Sequence, residues 1–289
     1  MTTKSKGVIP LNIADWLRRA QATLQASGCP DPEIDARWMA EDIMRMTRAD
    51  LKFEPEREVR PDELHALNAM LARRAAGEPV QYILERADFM GLQFFVDERV
   101  LIPRQDTETL VEHALIAIAP EPACEVLDLC AGSGCIGLSL KSLAPRAKVT
   151  LADLSREALE VAKKNAGLLS VDATFRHGDL YRAVGRKRFD FIVSNPPYIP
   201  RAEMPELQRE VQREPAMALD GGWDGLEFYR RIAAGAADHL NEGGSVYLEV
   251  GVGQAADALH LLEEGLDCEA SGIVKDLNGI ERVVWARSV

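Results

Sequence analysis

Apolar residues recur at helical spacing in the first part of the chain. Ile13, Trp16, Leu17, Ala20 and Leu24 fall at i, i+3 and i+4 intervals, and Gly28 ends the run. A second helix is predicted from Pro32, with Ile34, Trp38, Ile43 and Met46 turned inward. A third starts at Pro61-Asp62-Glu63, whose acidic side chains suit a helix N-terminus. It carries Leu64, Leu67, Met70 and Leu71 and stops at Gly77. Residues 1–76 thus read as a small helical bundle. Over 77–106 the period changes, and Phe89, Leu92, Phe94, Phe95 and Val96 around Gly91 read as a β-hairpin linking this bundle to the rest of the chain.

From 107 to 289 helical and extended patterns alternate. Helices are predicted over 109–118, 136–143, 156–168 and 226–240, and strands over 125–129, 149–152, 189–194 and 245–250. Two more strands are expected within 265–289, ending in Val283-Val284-Trp285. Such alternation predicts an α/β domain with a mostly parallel sheet and helices on both faces. A chain of 289 residues has room for two domains.

Charge narrows the partners. The net charge is −12 and no lysine/arginine block occurs, so a basic partner fits better than DNA or RNA. The five cysteines form no CxxC pair, and reduced thiols with no metal site are expected. Met1 to Pro10 lacks the apolar or arginine-rich pattern of a targeting segment, and no apolar run approaches the roughly 18 residues of a membrane span. A cytoplasmic monomer with no membrane partner is expected.

The strand 125–129 runs into Cys130-Ala131-Gly132-Ser133-Gly134, then a helix with Gly137 in its first turn. Glycines there let backbone approach a ligand closely. Gly132, Gly134 and Gly137 alone also satisfy a dinucleotide fingerprint. Aspartates at three successive strand ends favour S-adenosylmethionine, although the acid at Asp153 is shared with NAD enzymes and does not decide by itself. Asp128 can help organise its methionine end, Asp153 can accept from both ribose hydroxyls, and Asp179, followed by Leu180, can accept from the adenine amino group.

The strand 189–194 runs directly into Asn195-Pro196-Pro197-Tyr198. Two prolines fix two φ angles and give the segment one rigid shape. An amide or exocyclic amino nitrogen is a poor nucleophile because its lone pair is delocalised. The Asn195 side-chain oxygen and the Pro196 carbonyl can each accept one of its N–H groups, drawing the lone pair out of conjugation and aiming it. Tyr198 can pack on the planar target. Catalysis of this kind is positioning and electrostatics, with no metal.

With these residues in place, the chain resembles the HemK/PrmC family of protein-(glutamine-N5) methyltransferases. The resemblance extends to Gly77-Glu78-Pro79-Val80-Gln81-Tyr82, Phe89-Met90-Gly91, Val100-Leu101-Ile102-Pro103-Arg104, Asp106-Thr107-Glu108, Glu214-Pro215, Leu248-Glu249 and Gln254. It implies a Rossmann-like class I methyltransferase domain, S-adenosylmethionine as cofactor, and a protein substrate: the Gly-Gly-Gln glutamine of class-1 peptide-chain release factors. It also implies that the helical bundle grips that substrate. Gln105 departs from the proline usual after the family's arginine, and a looser loop is expected there. Asp106-Thr107-Glu108 favours the release-factor branch over a sister group acting on a ribosomal-protein glutamine. Amino-methylation of nucleic acid is a competing reading, since the Asn-Pro-Pro-Tyr motif is shared with DNA enzymes. A nucleotide-binding oxidoreductase or scaffold using the glycine turn alone is another.

Overall fold

The computed structural model describes residues 11–121 and 123–289. The segment 1–10, with its expected lack of a targeting pattern, lies outside the described residues. The chain forms two compact units that divide at Leu84 and Glu85.

The first unit is built from α1 (Ile13–Ala26), α2 (Pro32–Met44), α3 (Arg48–Phe53), α4 (Pro61–Ala75) and α5 (Val80–Leu84). Asn12 caps α1 by accepting from the Asp15 N–H at 2.8 Å, and Thr47 with Asp50 forms a capping box on α3. Ile13, Trp16, Ala20 and Leu24 are buried as the spacing predicts. On α2 the inner face differs from the expected one. Ala36, Met39, Ala40 and Met44 are buried, whereas Ile34 is exposed and Trp38, Ile43 and Met46 pack only partly. On α4, Leu67 is fully buried and Leu64, Met70 and Leu71 are half-buried. The stripe on α2 is shifted because a pair of charged residues occupies the helix interface: Asp35 accepts from Arg74 Nε of α4 at 2.5 Å, and both side chains are buried. The helix α5 packs Val80 into this same core, although its residues read as part of a linker.

The second unit begins with a hairpin, β1 (Ala87–Phe89) and β2 (Leu92–Phe94), paired antiparallel as expected. Phe89 and Phe94 meet edge to face at 6.1 Å between centroids and are fully buried. The hairpin is therefore core, joined with α6 (Gln105–Ile118). There follow β3 (Glu125–Leu129), α7 (Cys135–Leu143), β4 (Lys148–Asp153), α8 (Arg156–Leu169), β5 (Thr174–His177) and β6 (Phe189–Ser194). A long loop carrying three short 3-10 turns leads to α9 (Glu227–His239), β7 (Leu240–Glu249), α10 (Ala255–Gly265), β8 (Cys268–Lys275) and β9 (Glu281–Ser288).

Seven strands form one sheet in the order β5-β4-β3-β6-β7-β9-β8. The pairs from β5 through β7 are parallel, while β9 runs antiparallel to both β7 and β8. Alternate residues feed two cores. Val126, Val149, Leu151, Phe191 and Val193 pack with α6, α7 and α8, whereas Leu127, Leu129, Ile192, Val246 and Leu248 pack with α9 and α10. Burial on both faces explains why the central strands read as unbroken apolar runs. Strand order reverses between β3 and β6, which opens a crevice at the carboxyl ends of the parallel strands. Gln105 occupies the first turn of α6, a position where proline saves a donor that has no helical partner anyway. The loop before α6 is tied at Ile102, whose N–H donates to Glu214 Oε2 at 2.9 Å, and at Arg104, which pairs with the same carboxylate.

The Asp35–Arg74 pair yields a test of the first unit. Asp35→Ala removes the carboxylate buried against the Arg74 guanidinium and is expected to destabilise the unit by about 3–5 kcal/mol. Urea unfolding reads this directly, and an unmoved midpoint contradicts the assignment.

Candidate active site

The crevice at the β3/β6 reversal holds a pocket enclosing about 720 Å³, its open mouth included. Its walls come from the strand ends. Cys130 and Gly132 follow β3, Asp153 ends β4, Gly178, Asp179 and Leu180 follow β5, and Asn195 and Pro197 follow β6. Val100 and Leu101 close one side, and Pro215, Met217, Ala218 and Phe228 another.

The glycine turn is held from below. Asp128 is wholly buried, and its Oδ2 accepts from the Gly137 N–H at 2.9 Å, anchoring the start of α7. Its Oδ1 has no hydrogen-bond partner. Burial pushes the Asp128 carboxyl up to about 8, partly opposed by the Gly137 N–H and reinforced by the nearby Asp153. Asn165 of α8 secures the turn from the side, donating to Ser133 O at 2.9 Å and to Phe95 O at 3.0 Å while accepting from the Phe95 N–H at 2.7 Å. Ala131, Ser133 and Gly134 are buried in this framework, and with Asp128 they shape the turn without lining the pocket.

Gly132 faces the pocket with φ +55°, and a Cβ placed on it would meet nothing within 4 Å. The space beside it is open to the pocket. Asp153 accepts from the Gly132 N–H at 2.8 Å and from the Ser155 N–H at 2.7 Å, one on each oxygen. A carboxylate offers about four lone-pair sites, so acceptor capacity remains for a donor in the pocket. Burial raises its carboxyl above the usual range against those backbone donors. Asp179 lines the pocket and pairs through Oδ1 with Arg231 Nη2 at 2.5 Å, so Oδ2 is its remaining acceptor. These residues fit a ligand that carries a vicinal diol, a base and a positive charge.

Asn195 is half-buried, and its Nδ2 donates to Thr107 Oγ1 at 3.2 Å. This bond leaves Oδ1 to accept from a target. Pro196 and Pro197 are buried. The Tyr198 carbonyl accepts from Gln254 Nε2 at 2.9 Å, and its hydroxyl reaches Glu249 Oε1 at 3.4 Å. Burial pushes the phenol above its ordinary range, and the Glu249 charge adds to this. Gly221 passes so near that a Cβ would come within 2.6 Å of Tyr198 Cα. Its N–H donates to Ile199 O at 2.8 Å, so the loop after β6 is clamped against the 219–225 loop. Pro196 and Tyr198 do not line the pocket, whereas Asn195 and Pro197 do. The roles of Thr107, Glu249 and Gln254 are not readable from the residues alone. All three lie in segments that carry the family resemblance, which is their one available signal. Among the described residues, no group of three or more His, Cys, Asp or Glu could hold a metal, and no helix is long and apolar enough to cross a membrane.

The sheet order, the glycine turn beneath an open pocket and the acid at the end of β4 define a class I methyltransferase. Residues 106–222 match the family model described as methyltransferase small domain, and 15–84 match the PrmC N-terminal domain. A methyltransferase from Pyrococcus furiosus shares the fold, with a TM-score of 0.51 at 17% identity over 77% of this chain and 100% of that one. The release factor glutamine methyltransferase of Geobacter sulfurreducens is 41% identical over 99% of both chains, and that of Koribacter versatilis is 41% identical over 91% of this chain and 94% of its own. The chain belongs to the release factor glutamine methyltransferase family.

Asp128 supplies a test independent of turnover. Its folded-state carboxyl lies near 8 against an ordinary 3.8, so the folded chain holds a proton that the unfolded chain releases between those values. Stability therefore declines as pH rises through that window. Asp128→Asn removes the titration, and its melting temperature in the cofactor-free protein should gain on wild type more at pH 8 than at pH 4. An equal difference at both ends contradicts the raised carboxyl.

Proposed function

We propose that the pocket binds S-adenosylmethionine and that Asn195-Pro196-Pro197-Tyr198 presents the side-chain amide of a glutamine to it. The glutamine is that of the Gly-Gly-Gln motif in a class-1 peptide-chain release factor. The observation that carries this reading is the Asn195 carboxamide, which stands at the pocket with its NH2 tied to Thr107 and its oxygen available. In this reading Asn195 Oδ1 and the Pro196 carbonyl accept the two amide hydrogens, and Tyr198 packs on the amide plane. Asp153 holds the ribose, Asp179 and Leu180 hold the adenine, and the turn from Cys130 to Gly134, braced by Asp128, holds the methionine end. When bound, S-adenosylmethionine supplies a methyl group already activated on its sulfonium. The chain's contribution is to hold the amide nitrogen in line and withdraw its lone pair from conjugation.

The first unit serves to recognise the release factor, since each residue assigned to the cofactor lies after Glu85. The reading places the protein in the cytoplasm as a monomer, with no nucleic acid in the complex. The net charge of −12 supports a protein target over a polyanion.

Mass spectrometry of a release factor incubated with the enzyme and S-adenosylmethionine tests the whole reading. One added methyl on the Gly-Gly-Gln glutamine is expected, and a methyl group found on nucleic acid alone contradicts it. The cofactor assignment has its own test. Removing a charged acceptor from the ribose costs about 1.5–3 kcal/mol, so Asp153→Ala should raise the dissociation constant roughly tenfold or more. Unchanged calorimetric affinity in the folded variant removes Asp153 from the site.

A further inference from the structure

Behind Asn195 lies a carboxylate that touches neither the proposed target nor the cofactor pocket. Glu249, at the end of β7, is 2% exposed, and so is Thr107 in the first turn of α6. The Glu249 backbone carbonyl accepts from Tyr229 OH at 3.1 Å, and its Oε1 is 3.4 Å from Tyr198 OH. Oε2 is buried without a hydrogen-bond partner. The Thr107 hydroxyl is near enough to the Glu249 carboxyl to favour its charged form.

A threonine hydroxyl has one proton. Thr107 Oγ1 accepts from Asn195 Nδ2, so that proton is free to turn toward Glu249. We infer that Glu249 and Thr107 form a relay that fixes which end of the Asn195 carboxamide faces the target. Ionised Glu249 can accept but not donate, so Thr107 donates to it, Asn195 donates to Thr107, and the Asn195 oxygen is left for the glutamine. Protonated Glu249 can donate instead. Thr107 is then able to donate onward, the carboxamide turns its oxygen to Thr107, and its NH2 meets the N–H groups of the target. The proton that Glu249 gains comes from solvent, and no other bond breaks. Both side chains are positioning residues, and the inference rests on the role proposed for Asn195.

Several groups face this carboxylate. Thr107 and Asp106 come from α6, Tyr198 from the proline segment, Arg282 from β9, Cys135 from α7 and Tyr229 from α9. Burial dominates and lifts Glu249 to about 7, against the favourable contributions of Thr107, Arg282 and Tyr198. Arg282 is largely engaged elsewhere, with Asp106 Oδ2 at 2.7 Å and Asp276 Oδ2 at 3.1 Å.

Single-turnover rates at saturating cofactor, measured on both sides of pH 7, test the relay, with calorimetric cofactor binding as the check on folding. The active form is ionised, so the wild-type rate falls as pH drops through about 7. Thr107→Val is expected to lose about tenfold or more in rate, without that acid limb and without loss of cofactor affinity. Thr107→Ser should restore most of the rate together with the limb. Glu249→Gln should lack the limb. If it does not fold, the Thr107 pair still decides. A Thr107→Val enzyme that keeps the acid limb, whether fast or slow, overturns the relay. Asn195→Ala separates the two ideas: full activity in that variant sinks the Asn195 assignment itself, whereas an inactive Asn195→Ala beside a normal Thr107→Val sinks the relay alone.

Discussion

Two consecutive prolines leave the segment after β6 without two backbone N–H donors, so its position depends on what grips it from outside. Gln254 holds the Tyr198 carbonyl, Glu249 lies at the Tyr198 hydroxyl, Thr107 holds the Asn195 amide, and Gly221 closes on the Tyr198 backbone. Each grip comes from a different element, and β6, β7 and α6 must be in register for all of them to meet. The sheet serves as a jig for one tetrapeptide. Rigidity matters here because the chemistry proposed is placement, and a misdirected lone pair is an unreactive one.

The burial of carboxyl groups is the second constraint. Asp128, Asp153, Glu214 and Glu249 are all carboxyls raised by burial, in a chain that is already acidic. Backbone N–H groups at Gly137, Gly132, Ser155 and Ile102 offset part of that cost. Glu214 also ties the strip around Ile102 and Arg104 to the 214–218 loop, and residues from both stretches line the pocket. One buried carboxylate thus joins two walls of the pocket.

The sheet is legible in the sequence because each central strand is an apolar run stopped by a turn signal, and Glu125–Leu129 and Phe189–Ser194 match the predicted limits. The helix Ala255–Gly265 is not among the predicted elements, since its apolar positions closely follow a strand and a glycine-rich turn. The inner face of Pro32–Met44 departs from the pattern because Asp35 is buried in its ion pair with Arg74, and the residues that share its face, Ala36, Met39, Ala40 and Met44, turn inward with it. Of the site, the pocket-lining glycine, aspartates and asparagine are readable from their places at strand ends. The supports are not. Asn195 meets Thr107 across 88 positions, Tyr198 meets Glu249 across 51, and Gln254 meets Tyr198 across 56. No local pattern encodes a contact of that span, and only the closed sheet brings those residues together.

In the proposed chemistry the glutamine amide becomes reactive because two acceptors are held rigidly at one sheet edge. A crystal structure of the enzyme with the demethylated cofactor and a release factor, or its Gly-Gly-Gln loop, measures this directly. The glutamine side-chain nitrogen is expected at about 3 Å from both Asn195 Oδ1 and the Pro196 carbonyl oxygen. A nitrogen that sits in the pocket and touches neither acceptor contradicts this chemistry.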